Sequence, residues 1–232
     1  MCLLIQYREC SCLIKGVIFD LDGTILDTIH DLSGMMDKML TDFGYPKRSL
    51  EEHKRAIGYG ARNYVKNALP PEAAADDAIV ETCYQAFYKM YKENTNEKTK
   101  PFDGIKELFE FLEEHQMKMA ILSNKPDVAT QTLTKQWFSV YNLTCAYGER
   151  AGIPRKPDAG ATLAVAEEMG LAPSEIAFVG DSETDVQTAL NAGMVPVGVL
   201  WGFRTREQLI EAGAEYIVNT PEELMSLLVS MN

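Results

Sequence analysis

The sequence predicts an α/β protein: a parallel β-sheet with helices on both faces, interrupted once by an all-helical insert. Two observations indicate this architecture. Short apolar segments rich in β-branched residues alternate with helical patterns along most of the chain, and this alternation stops between residues 28 and 96. The chain has 232 residues, of which 46% are hydrophobic and 24% charged, so it can bury the core of one large domain that carries an insert.

The predicted strands are short and largely apolar. The first covers residues 16–19, ends at Asp20 and precedes a glycine turn at Gly23, as a buried strand followed by a loop does. Four other segments have the same character: residues 117–122, 176–179, 195–199 and 216–218.

Helical patterns separate these segments. Pro221 stands at the first position of the last one, directly after Thr220, and Gly170 and Gly193 stand where two others end. The six predicted helices cover residues 104–114, 128–137, 159–169, 186–192, 206–212 and 221–229.

The insert, residues 28–96, shows helical spacing almost throughout. Its methionine and aromatic stripes are interpreted as the core of a helical bundle. We therefore predict an α/β core domain made of residues 15–27 and 97–232, and a helical cap domain made of the insert. Residues 1–14 precede this pattern and are predicted to form a flexible N-terminal extension.

The charge of the chain is strongly acidic, with 22 Lys and Arg against 34 Asp and Glu and a formal net charge of −12. Nucleic-acid binders and proteins of anionic membrane surfaces need cationic surface, so neither kind of partner is expected. The insert contributes only −1, which leaves −11 for the α/β part. Such an acidic domain needs a bound cation to hold an anion, which indicates a metal site.

The cysteines and apolar segments predict the location. There are five cysteines, an odd number at irregular spacing, so we expect a reduced cytoplasmic protein and no disulfide framework. The apolar start of the chain is too short for a signal peptide, and the apolar run at residues 195–203 is about half of the roughly 20 residues that span a bilayer. A soluble monomer or homodimer is expected.

Polar side chains directly follow three of the predicted strands, at the edge where ligands bind in an open parallel sheet. Two carboxylates after one strand and two after another would repel strongly unless a divalent cation lay between them. Oxygen ligands of this kind suit Mg²⁺. The residues are Asp20, Asp22 and Thr24; Ser123, Asn124 and Lys125; and Gly180, Asp181, Ser182 and Asp185.

Four motifs occur along the chain: Asp20-Leu21-Asp22-Gly23-Thr24, Ser123, Lys156 within Arg155-Lys156-Pro157-Asp158, and residues 180–185. Their order and spacing resemble the haloacid dehalogenase-like superfamily of phosphotransferases, and the chain looks most like its phosphoglycolate phosphatase branch. The resemblance extends from about residue 15 to the end of the chain. It implies a Rossmann-like core with a small helical cap.

The resemblance also implies a Mg²⁺-dependent phosphatase acting on a small phosphorylated metabolite. Asp20 would attack phosphorus to form an aspartyl-phosphate, while Asp22 would protonate the leaving oxygen and then activate water. The Asp20 carboxylate, the Asp22 carbonyl and Asp181 would hold Mg²⁺, with Asp185 behind these ligands. The residues expected to bind the phosphoryl group are Thr24, Ser123, Asn124 and Lys156.

Other activities on the same scaffold stay open, namely a β-phosphoglucomutase-like phosphomutase and a pyrophosphatase. Mutases of that type usually read Glu-Asp-Ser followed by Gly three residues later, whereas this chain has Gly180 and Asp185 at those positions. The difference favours a phosphatase. A non-catalytic phosphate sensor is disfavoured because each core motif keeps its reactive residues.

The cap is expected to set specificity. Residues 58–63 form a glycine loop entering a helix, and free N–H groups at a helix start favour an anion. We expect Gly60 and Tyr59 to contact substrate and Arg62 to hold a carboxylate through two hydrogen bonds. The alternative is a plain turn with Arg62 in solvent. The three histidines are predicted to lie at the surface: His30, His53 and His115.

Overall fold

The computed structural model describes residues 13–93 and 96–232. Within these ranges the strands are β1 (Gly16–Phe19), β2 (Leu26–Asp27), β3 (Lys100–Pro101), β4 (Lys118–Pro126), β5 (Leu143–Glu149), β6 (Ile176–Gly180), β7 (Val195–Val199) and β8 (Tyr216–Val218). The helices are α1 (Ile29–Asp42), α2 (Leu50–Ala56), α3 (Ala61–Ala68), α4 (Pro71–Ala74), α5 (Asp77–Glu93), α6 (Ile105–Glu114), α7 (Asp127–Phe138), α8 (Ala159–Met169), α9 (Glu183–Ala192), α10 (Arg206–Ala212) and α11 (Pro221–Ser230).

Six of these strands form one parallel sheet in the order β5-β4-β1-β6-β7-β8. All four residues of the central strand β1 are buried. Val17 and Phe19 pack in a cluster with residues of α6, α7 and α11, whereas Ile18 packs in another with residues of α8 and α9. Alternate side chains of a strand point to opposite faces, so helices cover both faces of the sheet. The predicted α/β fold is confirmed.

Three strands have no counterpart in the prediction. β2 and β3 have two residues each and pair antiparallel where the chain leaves the sheet region and returns to it. β5 lies at the edge of the six-stranded sheet and is mostly half-buried. An edge strand buries less surface than a central one, so its sequence lacks a continuous apolar run.

The helices α1–α5, which we call the helical cap, lie between β2 and β3 and bury a hydrophobic cluster of their own. Met36, Met39 and Phe87 are fully buried in it. The methionine and aromatic stripes are therefore core residues, as predicted. The remaining elements, with the β2–β3 pair at the boundary, are called the core.

The predicted N-terminal extension lies mostly outside the described residues. Of its two described residues, Leu13 is exposed, whereas Ile14 is buried in the same cluster as Val17. The Lys15 N–H donates to the Glu175 carbonyl at 2.8 Å. Ile14 thus packs with the core, while the boundary of the extension at residue 14 stays a prediction. Among the described helices, none has both the length and the apolar character needed to cross a bilayer.

Candidate active site

β1 delivers two aspartates to the carboxyl edge of the sheet. The Asp20 N–H donates to the Val179 carbonyl of β6 at 3.0 Å, which fixes the start of the following loop. The loop then folds back, and the Leu26 N–H donates to the Leu21 carbonyl at 3.0 Å. Asp20 and Asp22 consequently line the same cavity.

A buried lysine joins Asp20 to a third aspartate. Lys156 Nζ lies 2.9 Å from Asp20 Oδ1 and 2.7 Å from Asp185 Oδ1, and its side chain is 2% exposed. Burial alone would lower the pKa of Lys156, but the ion pairs with Asp185 and Asp20 outweigh it and raise the pKa above its ordinary value. The ammonium therefore stays charged and offsets part of the negative charge of both carboxylates.

Two of the carboxyl groups have displaced pKa values. Burial raises the pKa of Asp20 to about 6, against the opposing effect of Lys156, and the charge of Asp185 raises it further. Burial also raises the pKa of Asp181 well above its usual range, and the charges of Asp185 and Asp20 add to this. The site therefore holds more negative charge than its protein partners neutralise.

Two glycines make room for Asp181. Gly23 has a φ of +82°, and a Cβ there would lie 2.5 Å from Asp181 Oδ2. A Cβ at Gly202 would lie 2.3 Å from Asp181 Cβ. The carboxylate accepts hydrogen bonds from the Phe203 N–H at 2.7 Å and from the Thr24 hydroxyl at 3.3 Å. The Thr24 hydroxyl thus helps to orient Asp181, and its contact with phosphate stays a prediction.

Three carboxylates converge closely enough to hold a metal ion: oxygens of Asp20, Asp181 and Asp185 lie within 4.8 Å of one another. Asp185 is already satisfied, because its Oδ1 accepts from Lys156 and its Oδ2 accepts from the Ser182 N–H and hydroxyl at 3.0 and 2.6 Å. Asp20 and Asp181 remain as possible oxygen ligands of a metal ion. A cation between them would relieve the repulsion that contributes to their raised pKa values. These residues fit a divalent cation with oxygen ligands.

β4 contributes Ser123, Asn124 and Lys125, which are all buried and line the cavity. Asn124 Nδ2 donates to the Lys156 carbonyl at 2.9 Å and to the Gly58 carbonyl at 3.2 Å. A side-chain amide has two N–H groups, so both are used in these two bonds. Asn124 joins the cap to the core here, and its hydrogen bond to the phosphoryl group stays a prediction.

The sequence prediction gave Lys125 no role. Its Nζ lies 2.7 and 3.1 Å from the two carboxylate oxygens of Asp22, and its side chain is 3% exposed. It also lies over the Tyr91 ring, 5.0 Å from the centroid. Lys125 therefore holds Asp22 at the cavity. Its place directly after Ser123 and Asn124 was the available signal, but only the fold shows which carboxylate it meets.

The cap closes the cavity with aromatic side chains. Tyr64, Phe87 and Tyr91 line it. The Tyr64 hydroxyl lies 2.8 Å from His53 Nδ1, and His53 Nε2 lies 3.1 Å from Asp37 Oδ1. His53 is 1% exposed, so the prediction that it lies at the surface is wrong. This hydrogen-bonded chain fixes the Tyr64 ring against the cavity.

The residues predicted to bind substrate from the cap lie in different places. Gly60 lines the cavity. Arg62 is outside the cavity lining, where its Nε donates to Glu81 at 3.2 Å and its Nη2 lies 3.6 Å from Asp77. Tyr59 is 40% exposed and also outside the lining. Because Arg62 is paired with carboxylates of α5, this arrangement does not place it to hold a carboxylate of the substrate.

Arg204 also lines the cavity and was absent from the predicted site. No local pattern distinguishes it from Arg206, which is exposed two residues later on α10. His30 and His115 are exposed, as predicted.

Comparison with known proteins agrees with the fold and the motifs. A Pseudomonas putida protein named phosphoglycolate phosphatase is 34% identical over 190 residues, which cover 81% of this chain and 70% of that protein. A protein of the same name from Chromobacterium violaceum is 31% identical over 217 residues, which cover 93% of this chain and 96% of that protein. A solved structure from Lactobacillus delbrueckii subsp. bulgaricus, provisionally named phosphoglycolate phosphatase, matches with a TM-score of 0.86 at 32% identity; the match covers 92% of this chain and 98% of that chain.

The family model described as haloacid dehalogenase-like hydrolase matches residues 17–199. The match begins in β1 and ends with β7, so it includes the aspartates of both strand ends, Lys156 and the whole cap. The chain belongs to the haloacid dehalogenase-like hydrolase family.

Proposed function

We propose that this protein is a Mg²⁺-dependent phosphatase that hydrolyses a small phosphate monoester through an aspartyl-phosphate, with phosphoglycolate as the leading substrate. The observation that carries the proposal is the placement of Asp20: it lies in a cavity beside Asp22, paired with Lys156 and close to Asp181. The names of the relatives support the choice of substrate.

The chain supplies a group for each covalent step. An Asp20 carboxylate oxygen attacks phosphorus, the bond from phosphorus to the leaving oxygen breaks, and the Asp22 carboxyl group gives its proton to that oxygen. In the second step Asp22 takes a proton from a water molecule, whose oxygen attacks phosphorus. The bond from phosphorus to Asp20 then breaks, which releases inorganic phosphate and restores the carboxylate.

Charge balance in the cavity supports a bound cation. A phosphoryl group brings roughly two negative charges, while Lys156 supplies one positive charge that Asp20 and Asp185 share. The Asp20 carboxylate, the Asp22 carbonyl and Asp181 would hold Mg²⁺, with Asp185 fixing Lys156 behind them. When bound, Mg²⁺ supplies the missing positive charge next to the phosphoryl oxygens.

The rings on the cap side of the cavity support a small leaving group. Tyr64, Phe87 and Tyr91 form that side. Bulky side chains at this wall leave less room beside the phosphoryl group for a sugar or a nucleoside than for a two- or three-carbon alcohol.

The pair Gly180 and Asp185 favours a phosphatase over the mutase alternative. A Cβ at position 180 would lie 2.2 Å from Asp185 Cβ, so a glutamate cannot stand at position 180 while an aspartate stands at 185. Asp185 instead holds Lys156 and the Ser182 N–H. The mutase pattern avoids the same steric conflict in the other way, with the large residue, glutamate, at the first position and glycine at the second.

The proposal is tested by phosphate release from phosphoglycolate, sugar phosphates, nucleotides and pyrophosphate, in Mg²⁺ or in EDTA. We expect activity in Mg²⁺ that is highest on phosphoglycolate, and a loss on the order of 10³-fold or more in Asp20→Asn, since the amide is not a nucleophile. Asp103→Asn, which changes an exposed aspartate, is the matched control and keeps full activity. Equal activity in Asp20→Asn, or in EDTA, would refute the mechanism.

Metal binding has a test that does not depend on turnover. We expect Mg²⁺ to raise the Tm of the wild type, and to do so more at pH 7.5 than at pH 5, because the ligands bind as carboxylates. Asp181→Asn keeps an oxygen acceptor for the Phe203 N–H but removes one buried charge. It should therefore melt higher than wild type in EDTA and show little response to Mg²⁺. An equal response of both proteins to Mg²⁺ argues against Asp181 as a ligand.

A cytoplasmic location, a monomeric or homodimeric state and the absence of nucleic-acid and membrane partners stay predictions from the sequence. Size-exclusion chromatography with light scattering measures the second of these.

A further inference from the structure

One arginine of the core reaches into the cap. Arg204 lies in the loop between β7 and α10, and its side chain is 4% exposed. Its Nη1 donates to the Lys54 carbonyl at 2.6 Å and its Nη2 to the Ile57 carbonyl at 2.7 Å. Both carbonyls lie at the end of α2, where a helix leaves carbonyls without partners of its own. A cation there also meets the negative end of the helix dipole.

The same guanidinium is anchored in the core. Arg204 Nε lies 2.8 and 3.0 Å from the two carboxylate oxygens of Glu183, the first residue of α9 and two residues beyond Asp181. The neighbouring Phe203 donates its N–H to Asp181 at 2.7 Å, while its side chain packs against the hydrophobic cluster of the cap. Residues 203 and 204 therefore connect the candidate metal ligand to the cap.

The segment that Arg204 holds forms one wall of the cavity. Ile57, Gly58 and Gly60 line it. Asn124 donates to the Gly58 carbonyl at 3.2 Å, so a second core side chain holds the same segment. Gly58 has a φ of +131°, and a Cβ there would lie 3.4 Å from Arg204 Nη2. The position of this wall thus depends on the contacts that the Arg204 side chain makes with it.

We propose that Arg204 is a positioning residue that holds the cap closed over the active site, with Glu183 as its anchor. The proposal rests on the proposed phosphatase function, in which closure excludes bulk water from the reacting phosphoryl group. Substrate entry and product release require the bonds to Lys54 and Ile57 to break. When Arg204 and the two carbonyls separate, water molecules can form hydrogen bonds with each of them. The contact can therefore form and break reversibly.

A competing role for Arg204 is direct contact with the substrate, because its side chain also lines the cavity. Three of its five N–H groups are taken by Glu183, Lys54 and Ile57, which leaves two. The two roles make different predictions. A residue that holds the cap affects every substrate, whereas a residue that binds a substrate carboxylate affects only substrates that have one.

The test compares wild type with Arg204→Ala, Arg204→Lys and Arg206→Ala. Arg206 is exposed and hydrogen-bonded only to Asn219 among its described contacts, so Arg206→Ala is the matched control and should behave as wild type.

In Arg204→Ala we expect KM to rise on the order of 10-fold with a smaller change in kcat, because the closed state is less populated. The rise should be similar for phosphoglycolate and for ethyl phosphate, a two-carbon monoester without a carboxylate. Arg204→Lys keeps a cation but lacks the Nε donor to Glu183, so its KM should fall between those of the wild type and Arg204→Ala.

Hydrogen exchange measures the same event without turnover. In Arg204→Ala, amides of residues 54–60 should exchange faster than in wild type, while those of β6 and α9 should keep their protection. If phosphatase activity is absent from the wild type, the proposed function fails, yet the exchange result still decides the role of Arg204. Unchanged exchange at residues 54–60 with an unchanged KM overturns the proposal, as does an effect confined to phosphoglycolate.

A second variant guards against misfolding of Arg204→Ala. Glu183→Gln removes the charge of the anchor at a partly exposed position and should raise exchange at residues 54–60 by a smaller factor. In an Arg204→Ala background, Glu183→Gln should have no further effect on exchange or KM, because the two residues act as a unit. Additive effects of the two substitutions would overturn the role of Glu183 as anchor.

Discussion

At the scale of single residues, Lys156 decides the charge balance of the site. Its ammonium group forms ion pairs with Asp20 at 2.9 Å and with Asp185 at 2.7 Å. The Lys156 side chain is only 2% exposed to solvent. Removing one member of a buried ion pair leaves the other charge without compensation, which destabilises more than the pair itself stabilises. The residue proposed to assist phosphoryl transfer therefore also stabilises the fold.

We expect Lys156→Met to lower the free energy of unfolding by about 3 kcal/mol, because Asp20 and Asp185 stay buried without a cation. The measurement is urea unfolding in EDTA at pH 7.5. Adding Asp185→Asn should restore part of the loss, since it removes one of the two unpaired charges. Lys106→Met, at a position where the side chain is 73% exposed, is the control and should change stability by less than about 0.5 kcal/mol. Equal unfolding midpoints of the two lysine variants would contradict this account.

At the scale of elements, the loop after β7 is fitted closely around the carboxylate that follows β6. A Cβ at Gly202 would lie 2.3 Å from Asp181 Cβ and 2.4 Å from the Gly23 carbonyl oxygen. We expect Gly202→Ala to destabilise the protein by about 1–3 kcal/mol, since backbone has to move. The displaced Asp181 should also weaken Mg²⁺ binding, measured as a smaller rise of Tm with Mg²⁺.

The control for this substitution is Gly34→Ala in the exposed face of α1, where a Cβ would meet nothing within 4 Å. Alanine is favoured over glycine inside a helix, so this variant should gain about 0.5–1 kcal/mol and keep its response to Mg²⁺. The opposite signs of the two glycine substitutions are the expected result. Destabilisation by both, or by neither, would mean that crowding around Asp181 is not the cause.

The strands and helices differ in how well the sequence predicts them. β1 and β7 occur with the predicted bounds, and so do α8 and α10, because a buried strand or a capped helix carries its signal within its own residues. β5 has no such signal: Thr144 and Gly148 interrupt its apolar residues, and the edge position leaves most of it half-buried. β2 and β3 are two residues long, too short for any periodicity.

The same limit applies to the site. Asp20, Asp22 and Asp181 were predictable because each follows a strand, and Ser123 because it lies near the carboxyl end of β4. The topology of a parallel sheet brings these strand ends together. The bond from Asn124 to Gly58 and the bonds from Arg204 to the end of α2 depend on how the cap sits on the core. No local sequence pattern encodes that placement, so these contacts could be identified only from the structure.

At the scale of the whole molecule, the two parts of the chain divide the chemistry. The core holds −11 of the net charge of −12 and presents the carboxylates, while the nearly neutral cap presents rings to the cavity. The strongly acidic composition makes polyanionic partners unexpected, but it does not prevent the binding of a small phosphate. In the proposed function, Lys156 and a bound cation would supply the positive charge locally.

This division predicts that cap side chains set the size of the leaving group without altering the chemistry. Phe87 is fully buried, lines the cavity and packs edge-on against Tyr64 with ring centroids 5.7 Å apart. Phe87→Leu removes ring volume from that wall. We therefore expect kcat/KM for a hexose phosphate, divided by kcat/KM for phosphoglycolate, to rise about 10-fold. Changes of one or two methylene groups in a pocket alter substrate preference by factors of this size. Phe43→Leu, on the cap but 40% exposed, should leave the ratio unchanged. Steady-state kinetics on esters of increasing size measure it, and an equal ratio in all three proteins would show that the cap does not select by size at this wall.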